Sequence, residues 1–490
     1  MTDDIAPGLQ CTVTFDRYGP DGLAVGAGPK GVDLHVDGGI RGERARVEID
    51  HVSQHRRQGW ARLVALEEAS PHRTRDPDAP GHRCGGCSWS HLDAVAQKEA
   101  KEARLQEVVD ACGLPARGLP SPLVVPSPRP SAYRNRGKYV LARKHGQVVL
   151  GAFRPRSHEV ASTLGCPVMA PVVDETARAL ASLLAHRKWS IYDERQGRGL
   201  LRYAGIRANH RDEVLVTLVV SRLADRPWRN LALGLRHRVP SLAGLTLDVN
   251  PDPGNVLFSG QTERILGSAE VVDRYGPAVV RLTGQGFGQV NREVATLLYA
   301  HAAEAALAPL PAPLPDQSRP PARVWDLFCG AGALTQILAR RAAAPAPAPA
   351  PETGPAPGPD HDRDHARGPD ILGVERDEAV VRLAAGAAQS AGLTACRYEA
   401  GDANDLLAGP HRAAPEVVVV NPPRTGCRPA LLAALVAQRV PRVVYVSCSA
   451  ETLARDLKVL QEGGLRLQSL QGFDMLPLTP HLELVALVER

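Results

Sequence analysis

No stretch of the 490-residue sequence stays apolar for long enough to cross a membrane as a helix, so a membrane-spanning chain is not expected. The opening residues, MTDDIAPGLQ, lack a basic start followed by an apolar segment, and the chain therefore reads as cytoplasmic. No internal repeat is present, which excludes a repeat array. Charge of one sign is nearly balanced: 58 basic against 53 acidic side chains leave a net charge of +5, too little to name a partner. Nine cysteines is an odd count, and they are unevenly spaced. Without a secretory leader they do not read as a disulfide framework, which leaves metal binding or catalysis for the clustered ones. Cys11, Cys112, Cys396 and Cys427 stand alone in ordinary contexts.

What is present divides the chain. At this length, with 44% apolar residues, two to four domains with sizeable cores are expected. Residues 1–68 hold short alternating runs (CTVTF, VDLHV, RARVEI, ARLVAL) broken by Gly, Pro and Asp, the pattern of a small closed β-barrel that grips oligonucleotides. Arg41, Arg44, Arg46, Arg56, Arg57 and Arg62 cluster here; they read equally well as a solvated surface and as a face for RNA phosphates. Residues 69–280 open with CGGC, continue as an amphipathic helix over about 91–112 that would pack on the catalytic part, and become an α+β region. From 281 to 490 the pattern is strand, glycine turn, helix, which predicts a doubly wound parallel sheet. A Pro/Ala-rich insert over 341–369 cannot form a core and reads as a solvated linker.

Two kinds of motif fall at strand ends in this last region. In DLFCGAG, Asp326, Gly330 and Gly332 lie between an apolar strand and a helix, where glycine lets the backbone approach a ligand. The next strand ends in Glu375, able to hydrogen-bond a ribose diol, and a following turn carries Asp402. The longer glycine fingerprint of dinucleotide sites is missing. Strand–GxG followed by strand–Glu is the arrangement of class I S-adenosylmethionine enzymes. GQGFGQVN has the look of a phosphate loop but follows no well-buried strand, so that reading is set aside. NPPR (Asn421–Arg424) follows four valines, and the strand VVYV runs into Ser447, Cys448 and Ser449. Glu483 begins a final apolar strand.

A cysteine after a buried strand is most often packing. Here a thiol, a carboxylate and a methyl-donor pocket converge on one sheet edge, and carbon-5 methylation of a pyrimidine needs that set. Carbon 5 is a poor nucleophile until a thiolate adds to carbon 6, and a base must later remove the carbon-5 proton so that the thiol can leave. Cys448 is the expected nucleophile and Glu483 the expected base.

The ordered series CGGCSWSHL, YRNRGKY, FRPRSHEV…GCP, GFGQVN, DLFCGAG, NPPRTG, SCSAETLARDL and PHLE resembles the RNA uracil-5-methyltransferases over most of the chain. The resemblance implies a Rossmann-like class I α/β methyltransferase domain with an N-terminal TRAM/OB-like barrel and a central α+β domain. It implies that Gln289, Phe328, Glu375 and Asn421 contact S-adenosylmethionine and that Arg134 lies near the target nucleotide. The barrel and cysteine cluster are similar to the branch that methylates 23S ribosomal RNA. The alternatives are a transfer RNA uracil-5-methyltransferase and, from another class, a non-catalytic RNA-binding or ribosome-assembly factor. The family's 4Fe–4S cluster implies Cys84, Cys87 and Cys166 as ligands; Asp78 stands where the family has its remaining cysteine, and zinc is the rival metal. Asn421 replaces a common Asp, Ser449 and Ala450 a common Asn-Pro, and Gly288 an aromatic. A monomer is the default.

Overall fold

The computed structural model describes the chain except for residues 1–4, 54, 75–83, 114–120, 156, 187–188, 195, 253–255, 311–320, 344–368 and 408–413. Asp78 and most of the insert 341–369 thus lie outside the described residues. No described helix is long and apolar enough to cross a membrane.

Five strands, β1 (Gln10–Tyr18), β2 (Ala24–Ala27), β3 (Asp33–Asp37), β4 (Arg44–Val52) and β5 (Gln58–Glu68), close into a barrel in the order β1-β2-β3-β5-β4. Period-2 alternation turns Val13, Phe15, Val47 and Ile49 inward and leaves Thr14, Arg44 and Arg46 outside. Helix α1 (Ala94–Ala111) follows, N-capped by Asp93, whose side chain accepts from the Ala96 amide. Its face carrying Leu105, Val108 and Val109 packs into the catalytic core.

After the short strand β6 (Leu123–Val125) comes a central sheet built from β7 (Arg136–Lys144), β8 (Gln147–Phe153), β9 (Val160–Ser162), β10 (Leu201–Ala208), β11 (Val214–Val220), β12 (Leu242–Val249) and β13 (Thr262–Gly267). Helices α2 (Pro171–His186) and α3 (Trp228–Arg238) contribute to its core. The β7–β8 hairpin turns at His145 and Gly146, with φ of 47° and 81°. Two successive left-handed residues match the twist of the flanking strands. A separate hairpin, β14 (Glu270–Tyr275) and β15 (Ala278–Thr283), lends Val271, Tyr275, Val280 and Leu282 to a core shared with the catalytic sheet.

The remaining elements alternate: α4 (Arg292–Leu307), β16 (Arg323–Leu327), α5 (Ala333–Ala342), β17 (Asp370–Glu375), α6 (Glu378–Ser390), β18 (Cys396–Ala400), α7 (Ala403–Leu406), β19 (Val417–Val420), α8 (Pro429–Ala437), β20 (Arg442–Ser447), α9 (Ala450–Glu462), β21 (Arg466–Phe473) and β22 (Glu483–Glu489). The sheet order is β18-β17-β16-β19-β20-β22-β21-β6, parallel except where β22 runs against β20 and β21. Strands β19 and β20 are buried at every residue, since helices cover both faces. Strand order reverses between β16 and β19, and a crevice opens there beyond the strands' carboxyl ends.

Candidate active site

The crevice is built from turns. After β16 the chain passes through Phe328, Gly330 and Gly332 in left-handed conformation (φ 61°, 53° and 77°) before α5 begins. At Gly332 a Cβ would lie 2.6 Å from the Tyr398 ring, so only glycine fits. At Gly330 a Cβ would meet no protein atom within 4 Å, and this open side faces the crevice. Phe328 holds its left-handed turn with a side chain, a costly conformation that concentrates at functional sites. Glu375, ending β17, accepts from the Gly330 amide at 3.2 Å and from the amides of Arg376 and Asp377 at 2.8 and 3.1 Å.

A cavity of about 550 Å³ collects the functional side chains. Gln289, Phe328, Gly330, Glu375 and Asn421 line it, and so do Arg134, Cys448 and Glu483. Two of the sequence-derived residues fall outside. Gly332 shapes the turn without lining the cavity, and Asp402 lines an adjoining space of about 300 Å³ that shares Phe328 and Glu375. Asp402 caps α7; the Asn404 amide at 2.9 Å is the main cause holding its carboxyl below the usual range.

The register of β20 against β22 pairs Ser447 with Leu484, which brings Cys448 and Glu483 together at the sheet's end. Cys448 is half-buried; burial foremost, and then Glu483, push its thiol up, while the charge of Arg424 pulls it down. Burial pushes Glu483 up to about 7, again opposed by Arg424. Cys448 also lines a second space of about 160 Å³ with Arg424, His481, Arg104 of α1 and Pro20 of the barrel. The thiol therefore stands between two cavities, one at the glycine turn and one beneath the barrel.

The loop 284–289 carries Gln289 and is tethered by two buried arginines. Arg136 donates to the carbonyls of Gly284, Gln285 and Gly286 at 2.8, 3.1 and 3.0 Å, and Arg207 to that of Gly286. Burial, helped by the charge of Arg207, lowers Arg136 to about 9. Asn135 and Tyr275 donate to the Gln289 carbonyl at 3.1 and 3.3 Å. The glycine at 288 has a physical reason: a Cβ there would sit 2.8 Å from Arg207 Nη1.

Asp326, Arg424, Arg136 and Arg207 are the residues whose weight the sequence did not show. Asp326, Arg424 and Arg136 stood inside quoted motifs without a role; the tethering by Arg136 and Arg207 carried no signal, because their partners are backbone carbonyls far along the chain. Asp326 tests the fit of a methyl donor. It is 1% exposed, its Oδ2 accepts from Thr335 Oγ1 at 2.6 Å, and its Oδ1 has no partner among the described residues. Burial pushes it up to about 7. A buried carboxylate oxygen without a donor favours a cationic ligand. The ammonium or sulfonium of S-adenosylmethionine suits it, with Glu375 available to a ribose.

The cysteines behave differently. Burial is the main cause that raises Cys166, and the nearby Cys84 adds to it, so thiols far apart in sequence are neighbours. Gly85 packs on Pro155, where a Cβ would meet Cγ at 2.4 Å. Among the described residues no group of three His, Cys, Asp or Glu side chains is arranged to hold a metal. His72 is engaged with Asp93 at 2.9 Å.

An uncharacterized RNA methyltransferase of Gloeobacter violaceus is 31% identical over 99% of this chain and 97% of its own length. The profile of the tRNA (Uracil-5-)-methyltransferase family matches residues 411–490, the part carrying Asn421, Cys448 and Glu483. The chain belongs to the RNA uracil-5-methyltransferase family. It is an S-adenosylmethionine-dependent RNA methyltransferase. An uncharacterized RNA methyltransferase of Bacillus cereus is 28% identical over 100% of this chain and 98% of its own length. The solved tRNA (uracil-54, C5)-methyltransferase of Pyrococcus abyssi, in complex with S-adenosyl-L-homocysteine, has the same fold. Its TM-score is 0.72 at 23% identity, covering 97% of this chain and 99% of that one.

Proposed function

We propose that this uracil-5-methyltransferase methylates carbon 5 of a uridine in 23S ribosomal RNA through a covalent bond between Cys448 and the uracil ring. The observation that carries the reading is the shared cavity: Cys448, Glu483, Glu375 and Gly330 line one space. The Cys448 sulfur, as thiolate, adds to carbon 6, and the ring's electrons move to carbon 5. The charge of Arg424, which lowers the thiol, favours the anion. S-adenosylmethionine, when bound, supplies the methyl group that carbon 5 takes up. Glu483 then removes the carbon-5 proton; those electrons form the carbon 5–carbon 6 double bond, and the carbon–sulfur bond breaks. A carboxyl titrating near 7 is suited to this step at neutral pH. Gln289, Phe328, Glu375 and Asn421 hold the methyl donor, and Arg134 lies toward the nucleotide. The target uridine must be unpaired or flipped, because carbons 5 and 6 are stacked within a helix.

RNA containing 5-fluorouridine tests the chemistry, since fluorine cannot leave as a proton does. A covalent adduct is expected, lost in Cys448→Ala; its persistence in that variant would defeat the reading. Transfer RNA is the second reading, favoured by the family description and by the Pyrococcus abyssi enzyme, whose likeness spans the barrel as well. Mass spectrometry of 5-methyluridine in both RNA classes from a deletion strain separates the two, and no loss in either would point to a binding factor. In the same reading Cys84, Cys87 and Cys166, with Asp78, bind a 4Fe–4S cluster, zinc being the alternative; this rests on the family resemblance, since the described side chains form no three-ligand group. Iron analysis and visible absorbance after anaerobic purification decide, and a colourless zinc protein would reject the cluster.

A further inference from the structure

Glu483 sits at the end of the segment 474–482, which joins β21 to β22. This segment is irregular, and its hydrogen bonds go to several separate parts of the molecule. The Asp474 amide donates to Val125 of the β6 edge at 2.9 Å, and Asn291 Nδ2 donates to the Met475 carbonyl at 3.3 Å. Tyr133 Oη donates to the Pro477 carbonyl at 3.2 Å. Leu478 is pinned on both sides: its amide donates to Gln97 Oε1 of α1 at 2.9 Å, and its carbonyl accepts from the Trp89 amide at 2.9 Å. Leu478 also holds a left-handed backbone (φ 66°), a conformation that persists only where the surroundings over-determine it. Trp89 in turn donates from Nε1 to the Gly22 carbonyl of the barrel at 2.7 Å, and Gly22 lies against Pro480 with no room for a Cβ.

At the root of the segment is Lys101 of α1. It is fully buried, its Nζ lies 2.6 Å from Asp474 Oδ1, and it stands 5.9 Å from the centre of the Trp89 ring. Such a pair is a poor way to gain stability, because desolvation of both charges offsets their attraction and an apolar pair of similar volume does as well or better. What the pair does supply is direction. A buried ammonium paired with one carboxylate restricts where that carboxylate can sit, and Asp474 is the first residue after β21. We infer that Lys101, through Asp474, is a positioning residue for the base: together with Gln97 and Trp89 it fixes the segment 474–482 so that Glu483 reaches the uracil bound to Cys448. This rests on the reading of Glu483 as the base.

The inference separates the two halves of the reaction. Addition of Cys448 and uptake of the methyl group do not need Glu483; proton removal from carbon 5 and expulsion of the sulfur do. The test is single-turnover reaction of the full chain with unmodified uridine RNA and S-adenosylmethionine, following covalent adduct and free methylated RNA on denaturing gels. In Lys101→Met the adduct is expected to form at near the parent rate. Its release should slow on the order of ten- to a hundredfold, the cost of displacing a catalytic group by about 1 Å, so adduct accumulates. The double variant Lys101→Met, Asp474→Leu removes the unpaired charge that the single variant leaves and is expected to fold with slow release retained. Glu483→Gln is the reference. If it accumulates no adduct, the reading of the base fails and the inference with it. If it accumulates adduct while the folded double variant releases RNA at the parent rate, or loses addition and release equally, the positioning role is overturned.

Discussion

Two glutamates in different parts of the molecule, Glu43 fully buried and Glu483 half-buried at the crevice, meet opposite fates. At the foot of the barrel Glu43 is 0% exposed, and its carboxylate is fully supplied. Arg73 donates to Oε1 and Oε2 at 2.7 and 2.6 Å, and the amides of Ile40 and Ser70 donate at 2.9 and 3.1 Å. Burial acts to raise this carboxyl, but Arg73 first and then the two amides outweigh it and hold it below the usual range. In the crevice Glu483 has only the charge of Arg424 to set against burial, and it rises to about 7. Desolvation acts on both; the supply of donors decides whether a carboxylate is a structural tie or a proton acceptor.

Replacing each by glutamine breaks this contrast in opposite ways. Glu483→Gln is expected to keep the fold and to lower turnover of excess RNA on the order of 10²- to 10⁴-fold, the contribution of a positioned base. Glu43→Gln is expected to cost about 3 kcal/mol, because Arg73 keeps its charge without a counter-charge. Denaturant midpoints and the rate per folded molecule check both, and a Glu43→Gln protein as stable as the parent would erase the difference. The pH dependence sharpens it. Glu483 binds its proton more tightly folded than unfolded, so between about 4.5 and about 7 its contribution to stability falls as pH rises. Glu43 has the opposite sign: its contribution is full above the unfolded value and is lost as pH falls through the lowered folded one. Glu483→Gln should therefore gain stability over the parent on going from pH 4 to pH 8, by roughly 2–3 kcal/mol. The catalytic rate of the parent should climb through about pH 7 as the base loses its proton. A rate flat from pH 6 to 8 with chemistry rate-limiting would count against Glu483.

The contrast also marks what the sequence could show. Valine runs before NPPR and before Cys448 identify β19 and β20, and parallel strands with both faces covered put the residues after them on one edge. That logic reaches Cys448, Asn421, Glu375 and the glycine turn, because each ends or directly follows a strand. It misses groups held by distant backbone. Arg136 and Arg207 grip carbonyls of the loop 284–286, and that loop, set aside as a phosphate site, lines the cavity through Gln289, which the family resemblance alone marks. Leu123–Val125 joins the edge of the catalytic sheet beside β21, a pairing that three residues cannot announce. Nor does a lysine in an amphipathic helix reveal that it is fully buried against Asp474.

Smaller effects test the contrast where charge meets ligand. Asp326, unlike Glu43, is a buried acid with one carboxylate oxygen lacking a donor among the described residues. Asp326→Asn removes the charge that would meet a cationic ligand and should cost about 1.5–3 kcal/mol, roughly ten- to a hundredfold in Kd for S-adenosylmethionine. Calorimetry reads this directly, and an unchanged Kd would remove Asp326 from the site.

The barrel's outer face is expected to give the smallest effect. On it Arg44 is paired with Glu67 and Arg62 with Glu48, whereas Arg46, between them on β4, has no ion pair among the described residues. A charge already neutralised by its own chain has little left to exchange for a phosphate; one without a partner releases a counterion when it meets RNA. Arg46→Ala is therefore expected to leave the thermal midpoint unchanged and to lower RNA affinity a few-fold. The slope of log K against log salt should fall by about one. Arg62→Ala should change that slope less, since Glu48 offsets its charge in the free protein. If Arg46→Ala binds RNA with the parent's slope, this face of the barrel does not meet the backbone. The arginine cluster would then be surface solvation, and RNA would have to be held from the crevice side alone.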